Sequence, residues 1–215
     1  MEKLTAVLAG TPVDTQMGVD CLEAAGLPAL ACPLSPDPRG QMAFQISPME
    51  EKITYTRKIL TDAMAKGCSR AFIYCNSLSA SVEFPPLAQK LSMRIVTPLD
   101  VYRELANSYK KLSAIAANVQ GVAGIERVML LENPKLDLIS IGMLQLVESI
   151  EAKMDPDQLV AHHRLPELAG WLQQLGMEAL VLGCTHYPYF KEALARRTTL
   201  PLIDPAQRMI ELLVA

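Results

Sequence analysis

The chain has 215 residues, half of them hydrophobic, and a formal net charge of −3, enough for one or two compact domains with a true core. It carries no basic stripe and no run of like charges, which argues against nucleic acid as a partner. No apolar run approaches the roughly 18 residues of a membrane span, so no membrane partner is expected either. The start, Met1-Glu2-Lys3-Leu4, leads straight into a strand-like stretch without the charged and apolar regions of a signal peptide, and a cytoplasmic location is expected. The five cysteines, Cys21, Cys32, Cys68, Cys75 and Cys184, are odd in number and widely spaced, with no Cys-x-x-Cys pair. No disulfide framework is expected from that pattern. Burial is the default reading for Cys21, Cys32 and Cys68.

Leu4 to Ala9 reads as the first strand. Gly10 to Thr15 is a turn with an acid, Asp14, near its end, and Met17 to Ala25 reads as a helix closed by Gly26. Asp14 either caps that helix or belongs to a site, since caps and anion sites share such turns. Leu30 to Pro33 reads as a second strand. Ser35 to Gln45 holds two prolines, a glycine and few apolar residues, and reads as a loop. Ser47-Pro48-Met49-Glu50 has the form of a capping box with proline at the first helical position. The helix it opens runs to Lys66, with Ile53, Leu60 and Met64 on its apolar face. Ala71 to Tyr74 is a strand-like run that ends in Cys75-Asn76-Ser77 and leads into a helix that Pro85-Pro86 interrupts.

Ser92 to Val96 is another strand-like run, and Pro98 marks a domain crossing, giving a first domain over 1–97 and a second over 98–204. A helix from Leu99 to Lys111 opens the second half. Leu112 to Ala116 reads as a strand with Asn118 near its end, and Gly121 to Leu131 as a helix. Asp137 to Ile141 is a further strand, followed by Leu146-Val147-Glu148. Asp155-Pro156-Asp157 starts a helix running to Gly176, on which Trp171 packs against the core and His162 and His163 face solvent. Ala179 to Leu182 is a short apolar run of the kind that forms a buried strand. It ends in Gly183-Cys184-Thr185-His186-Tyr187-Pro188, and Pro188 suits the first position of the helix that follows. Leu202 to Pro205 gives a last strand and turn, and Ala206 to Val214 a closing helix.

Strand and helix alternate throughout, which predicts α/β layers with mostly parallel strands. Two cysteines, Cys75 and Cys184, therefore sit where a strand's carboxyl end meets a helix's amino end. Ligands bind there in open α/β sheets, and the free N–H groups favour an anion or a thiolate.

These strings resemble the cofactor-independent aspartate/glutamate racemase superfamily, in which one cysteine lies in a Cys-Asn-Thr/Ser string and a second in a Gly-Cys-Thr string. The full Gly-Cys-Thr-His-Tyr-Pro string is similar to the glutamate racemase branch. The resemblance implies two similar Rossmann-like domains facing each other across a cleft, one cysteine from each, with the C-terminal helix (205–215) returning to the first domain. Asp14-Thr15 resembles the family's acid–hydroxyl pair after the first strand, although Gln16 stands where the family has glycine. Asn118 occupies the place of substrate-contacting threonines. Leu146-Val147-Glu148 resembles a string whose glutamate pairs with the histidine beside the second cysteine; read from the residues alone, Glu148 is equally a solvent-facing glutamate on a helix. The family's Pro-Tyr-Gly segment is not found. Family members are often homodimers and need neither cofactor nor metal. A glutamate racemase supplies D-glutamate to the bacterial cell wall.

The chemistry fits the residue types. Inverting a stereocentre by proton transfer needs a base on one face of the carbon and an acid on the other. Two thiols, each with a pKa of about 8.5 when free, can hold opposite protonation states near neutral pH with modest tuning. The expected catalytic set is Cys75, Cys184, Asp14, His186 and Glu148. The expected substrate contacts are Thr15, Asn76, Ser77, Asn118 and Thr185. No Schiff-base lysine motif or phosphate-cradling loop is evident, so no cofactor is expected. Zinc on Cys75, Cys184 and His186 is disfavoured by the lack of closely paired ligands. The substrate class is an acidic amino acid, glutamate first. The alternatives are an aspartate, broader amino-acid or hydantoin racemase on the same scaffold, or an acidic amino-acid binding protein without turnover.

Overall fold

Ala6 to Ala9, Ala71 to Ile73 and Ala179 to Leu182 have at most 1% of their surface exposed. Apolar runs without polar alternation form strands covered on both faces, the condition for parallel sheets. The structure is a computed structural model that describes residues 3–215. Met1 and Glu2, on which part of the targeting expectation rests, lie outside the described residues. The chain divides into two compact units, one of residues 1–101 and 206–215, the other of residues 102–205.

The first unit contains β1 (Leu4–Leu8), α1 (Pro12–Ala24), β2 (Ala29–Ala31), α2 (Pro38–Ile46), α3 (Met49–Ala65), β3 (Cys68–Ile73), α4 (Asn76–Ser81), α5 (Phe84–Leu91) and β4 (Arg94–Val96). Its sheet is fully parallel in the order β2-β1-β3-β4, with Ala6 paired to both Leu30 and Ala71. The helix α6 (Pro98–Ser108) leads out of it. The second unit contains β5 (Lys111–Ala116), α7 (Val119–Glu132), β6 (Asp137–Gly142), α8 (Leu144–Glu151), α9 (Pro156–His162), α10 (Leu165–Gln174), β7 (Ala179–Leu182), α11 (Pro188–Ala195) and β8 (Leu202–Ile203). Its sheet is also parallel, in the order β6-β5-β7-β8. The closing helix α12 (Ala206–Val214) packs on β3 and β4 of the first unit.

Counted within each unit, both sheets run second, first, third, fourth. The connection after the second strand crosses to the far side of the first, so adjoining loops diverge at the carboxyl ends of β1 and β3, and again at those of β5 and β7. Such switch points are where open α/β sheets bind ligands. Among the described residues no helix is long and apolar enough to cross a membrane.

Five local expectations are corrected. Ser35 to Gln45 is not all loop: Asp37 caps α2 by accepting from Gly40 N at 2.8 Å, with Pro38 in the first turn, and this cap–proline pair outweighs the poor apolar content. Ser47 makes no capping box; it closes α2, its hydroxyl donating to Phe44 O at 2.9 Å, and Pro48 leads into α3. The buried stripe of α3 is Lys52, Thr56, Leu60 and Ala63, while Met64 is exposed. The helix expected from Asp155 to Gly176 is two: Pro166 has no N–H to continue the ladder, and Arg164 turns left-handed at φ 52° between α9 and α10. Trp171 falls off the Leu165–Ala169–Leu172 stripe of α10 and is about half exposed (48%) rather than packed in the core.

Candidate active site

In the first unit, the turn after β1 is organised by Asp14. Its carboxylate accepts from Gly10 N at 3.0 Å, Thr11 N at 2.6 Å and Thr11 Oγ1 at 2.8 Å, and the side chain is buried. Asp14 thus caps the entry to α1 and also places negative charge close to the neighbouring strand end. Thr15 has no exposed surface and its hydroxyl donates to Thr11 O at 2.6 Å. It braces the turn from inside rather than presenting a group to a ligand.

The chain leaves β3 through Tyr74, whose N–H donates to Leu8 O at 2.7 Å, and Cys75 stands at the cap position of α4. Its Sγ lies 3.4 Å from Ser77 Oγ and 3.7 Å from Gln41 Nε2. Burial, and after it the charge of Asp14, pushes the Cys75 thiol up to about 11, against hydrogen bonds from the Ser77 side chain and the Leu78 and Ser77 backbone. At neutral pH this thiol is protonated. Asn76 and Ser77 are both buried beside it.

The second unit repeats the construction. Gly183 N donates to Ile115 O at 2.7 Å, and a Cβ at Gly183 would stand 2.9 Å from that carbonyl and 2.5 Å from Ile125 Cδ1. Only glycine lets the strand end approach β5 so closely, and this close approach sets where Cys184 emerges. Cys184 Sγ lies 3.7 Å from His186 Nδ1. On the other side of the ring, His186 Nε2 is buried without a hydrogen-bond partner, and Glu151 Oε1 stands 3.6 Å away, at ion-pair range. Tyr187 is fully buried and donates from its hydroxyl to Met143 O at 3.0 Å. Burial and then the nearby Cys184 push that phenol up. Among the described residues, no group of three or more His, Cys, Asp or Glu side chains is arranged to hold a metal ion.

Both units thus place a buried thiol and an ionisable neighbour at the switch point of a parallel sheet. No protein-family model matches the chain. Among curated proteins it is similar to the glutamate racemase of Fusobacterium nucleatum, 25% identical over 166 residues that cover 73% of this chain and 60% of that protein. The sequence likeness is to glutamate racemases, and the chain spans less than two thirds of the length of the curated relatives it matches, between 47% and 62% for three of them. The same fold is seen in the Francisella tularensis glutamate racemase in complex with D-glutamate, at TM-score 0.72 and 17% identity over 99% of this chain and 80% of that one. It is seen also in the Klebsiella pneumoniae allantoin racemase, at TM-score 0.65 and 13% identity over 100% and 86%.

Of the residues expected at the site, the structure brings Asp14, Asn76 and Ser77 together around Cys75, and Thr185 and His186 around Cys184. Asn118 caps α7, its Oδ1 accepting from Gly121 N at 3.0 Å. Glu148 is exposed, and the carboxylate that reaches His186 belongs to Glu151. Residues three apart lie on the same side of a helix, and Glu151 follows Glu148 by one turn on α8. Two neighbours of Cys75 escaped the sequence reading altogether. Gln41 and Gln45 on α2 reach Ser77 Oγ at 3.4 and 2.9 Å, and the Gln41 side chain fills the space that a Cβ at Gly10 would need. The Asp37-Pro38 start of α2, with glutamines four apart, was the available signal.

Proposed function

We propose that the chain racemises an acidic amino acid, glutamate first, by two-base proton transfer between Cys184 and Cys75. The observation that carries this reading is the duplicated half-site: the same strand order, the same strand-to-helix junction and a buried thiol at each. The thiolate of one cysteine takes the α-proton, forming S–H and leaving the C–H electron pair on Cα next to the substrate carboxylate. The thiol of the other delivers a proton to the opposite face, ending as thiolate. The reading requires both sulfurs to reach the same carbon.

The protonated resting state of Cys75 suits it to the acid role. Cys184 is then the base towards the enantiomer whose α-proton faces it. His186, with Nδ1 towards Sγ and Nε2 towards Glu151, is placed to exchange a proton with Cys184 while that carboxylate orients the ring. The backbone N–H groups at the starts of α4 and α11, with Asn76 and Thr185, supply donors for the substrate carboxylates, while the Ser77 hydroxyl faces the Cys75 sulfur. A cytoplasmic enzyme providing D-glutamate for cell-wall synthesis, working as a homodimer, is the setting this reading implies.

Proton NMR of the protein with L- and D-glutamate in D₂O, then with both aspartates, tests it. Loss of the α-proton signal with decay of optical activity is expected for glutamate, and Cys75→Ser and Cys184→Ser should each abolish racemisation. Activity that survives either change would sink the two-thiol mechanism. Exchange with a hydantoin or allantoin and not with the amino acids would transfer the same chemistry to the ring substrates. Tight glutamate binding without exchange would make the chain a binding protein.

A further inference from the structure

The sulfur of Cys75 sits among neutral donors whose hydrogens can be assigned by exhaustion. Ser77 Oγ has one hydrogen to give and two lone pairs to fill. Gln45 Nε2 donates to it at 2.9 Å and Gln41 Nε2 at 3.4 Å, which occupies both lone pairs. Its remaining side-chain neighbour is Cys75 Sγ at 3.4 Å, so the hydroxyl donates to sulfur. The carboxamide of Gln41 has a second hydrogen, and Cys75 Sγ lies 3.7 Å from the same nitrogen. Donors aimed at sulfur favour thiolate over thiol.

The helix that carries both glutamines is held in place from several directions. Asp37 caps its start, Lys52 Nζ donates to Gln45 O at 3.3 Å, and Phe44 packs near the Tyr55 ring at 6.2 Å. Lys52 is buried, with 9% of its surface exposed. A lysine at the carboxyl end of a helix pins the last turn, and here that turn carries Gln45. The missing side chain at Gly10 leaves room for the Gln41 carboxamide.

We propose that Gln41 and Gln45 are positioning residues for Cys75: Gln41 donates to the sulfur directly, and Gln45 saturates Ser77 so that its hydroxyl does the same. The inference rests on the acid–base role proposed for Cys75. In each cycle this cysteine must exist as thiolate, while burial and Asp14 oppose that state. Asp14 on α1 is the charged side chain that acts on the Cys75 thiol; on α3, Lys52 is bound to the Gln45 carbonyl, and on α2, Arg39 is exposed. The residues of α4 carry no charge. The amides and the hydroxyl are thus the side-chain means of bringing the thiolate within reach.

The test reads the thiol itself. The full chain is treated with iodoacetamide across pH 7 to 11, and modification of the Cys75 peptide is followed by mass spectrometry, with the Cys184 peptide as internal control. Gln41→Leu and Gln45→Leu should each move the Cys75 midpoint upward, so that its modification at pH 8 slows by about three- to tenfold, a full pH unit being tenfold. The pair Gln45→Leu with Ser77→Ala should do no more than Ser77→Ala alone, because Gln45 acts through Ser77. An unchanged midpoint in chains with native circular dichroism overturns the inference. So does a faster plateau at the same midpoint, which would make α2 a mere screen, or full additivity of the Gln45 and Ser77 changes. Should Gln41→Leu not fold, Gln45→Leu carries the test. Midpoint shifts without any α-proton exchange would refute the racemase reading and leave this one standing; exchange without shifts would do the reverse.

Discussion

Replacing Cys75 with alanine should flatten the alkaline loss of stability. In the unfolded chain a thiol releases its proton near its ordinary 9.0, whereas the folded Cys75 holds its proton up to about 11. Between those values the folded state binds one proton more than the unfolded state, so stability falls as pH rises; below about pH 9 the contribution is intact. With each pH unit between those values worth a little over 1 kcal/mol, the loss reaches about 1 kcal/mol by pH 10 and about 2 kcal/mol by pH 11. Urea unfolding followed by circular dichroism at pH 7 and pH 10, on the unaltered chain and on Cys75→Ala, isolates the effect. Cys32 and Tyr187, whose protons are also held more tightly in the fold, lose stability in the same direction in both proteins and cancel in the difference. The unaltered chain should lose about 1 kcal/mol more than the variant on going to pH 10. An equal loss in both would refute the claim that burial and Asp14 hold the Cys75 proton.

Other perturbations probe separate parts of the structure. Gly183→Ala places a methyl 2.9 Å from the Ile115 carbonyl, which cannot swing aside as the Ile125 tip can, and should cost about 1–3 kcal/mol, read as a lowered melting temperature together with weakened turnover. Glu151→Gln should reduce turnover on the Cys184 side by on the order of tenfold to a hundredfold and shift the pH profile, while Glu148→Gln leaves both in place; the opposite ranking would return the histidine partner to Glu148. Asp37→Ala removes the α2 cap at a cost of about 1 kcal/mol, and hydrogen exchange of the α2 amides should quicken while that of β5 and β7 does not.

The sequence carried the fold class because local physics suffices for it. Apolar runs such as Ala179 to Leu182 form buried strands, and Pro188 after Tyr187 starts a helix, whatever lies further away. The same local logic placed Cys75 and Cys184 at strand-to-helix junctions. Local logic failed where a helix is short and covers a site. The apolar residues of α2 form no buried face, because one side of it carries Gln41 and Gln45 towards Cys75 while Met42 and Ile46 are exposed. Periodicity cannot find a helix whose inward face is polar.

What the sequence determined by itself is therefore the alternation of strand and helix, and the two thiols at the ends of strands, since both follow from the burial preference and capping chemistry of neighbouring residues. Tertiary structure alone decided which carboxylate stands beside His186, where Trp171 points, and which amides surround the Cys75 sulfur. Those choices depend on the rotation of one helix against a strand from elsewhere in the chain. A shift of one helical turn, from Glu148 to Glu151, exchanges the partner without altering any local pattern that a sequence displays.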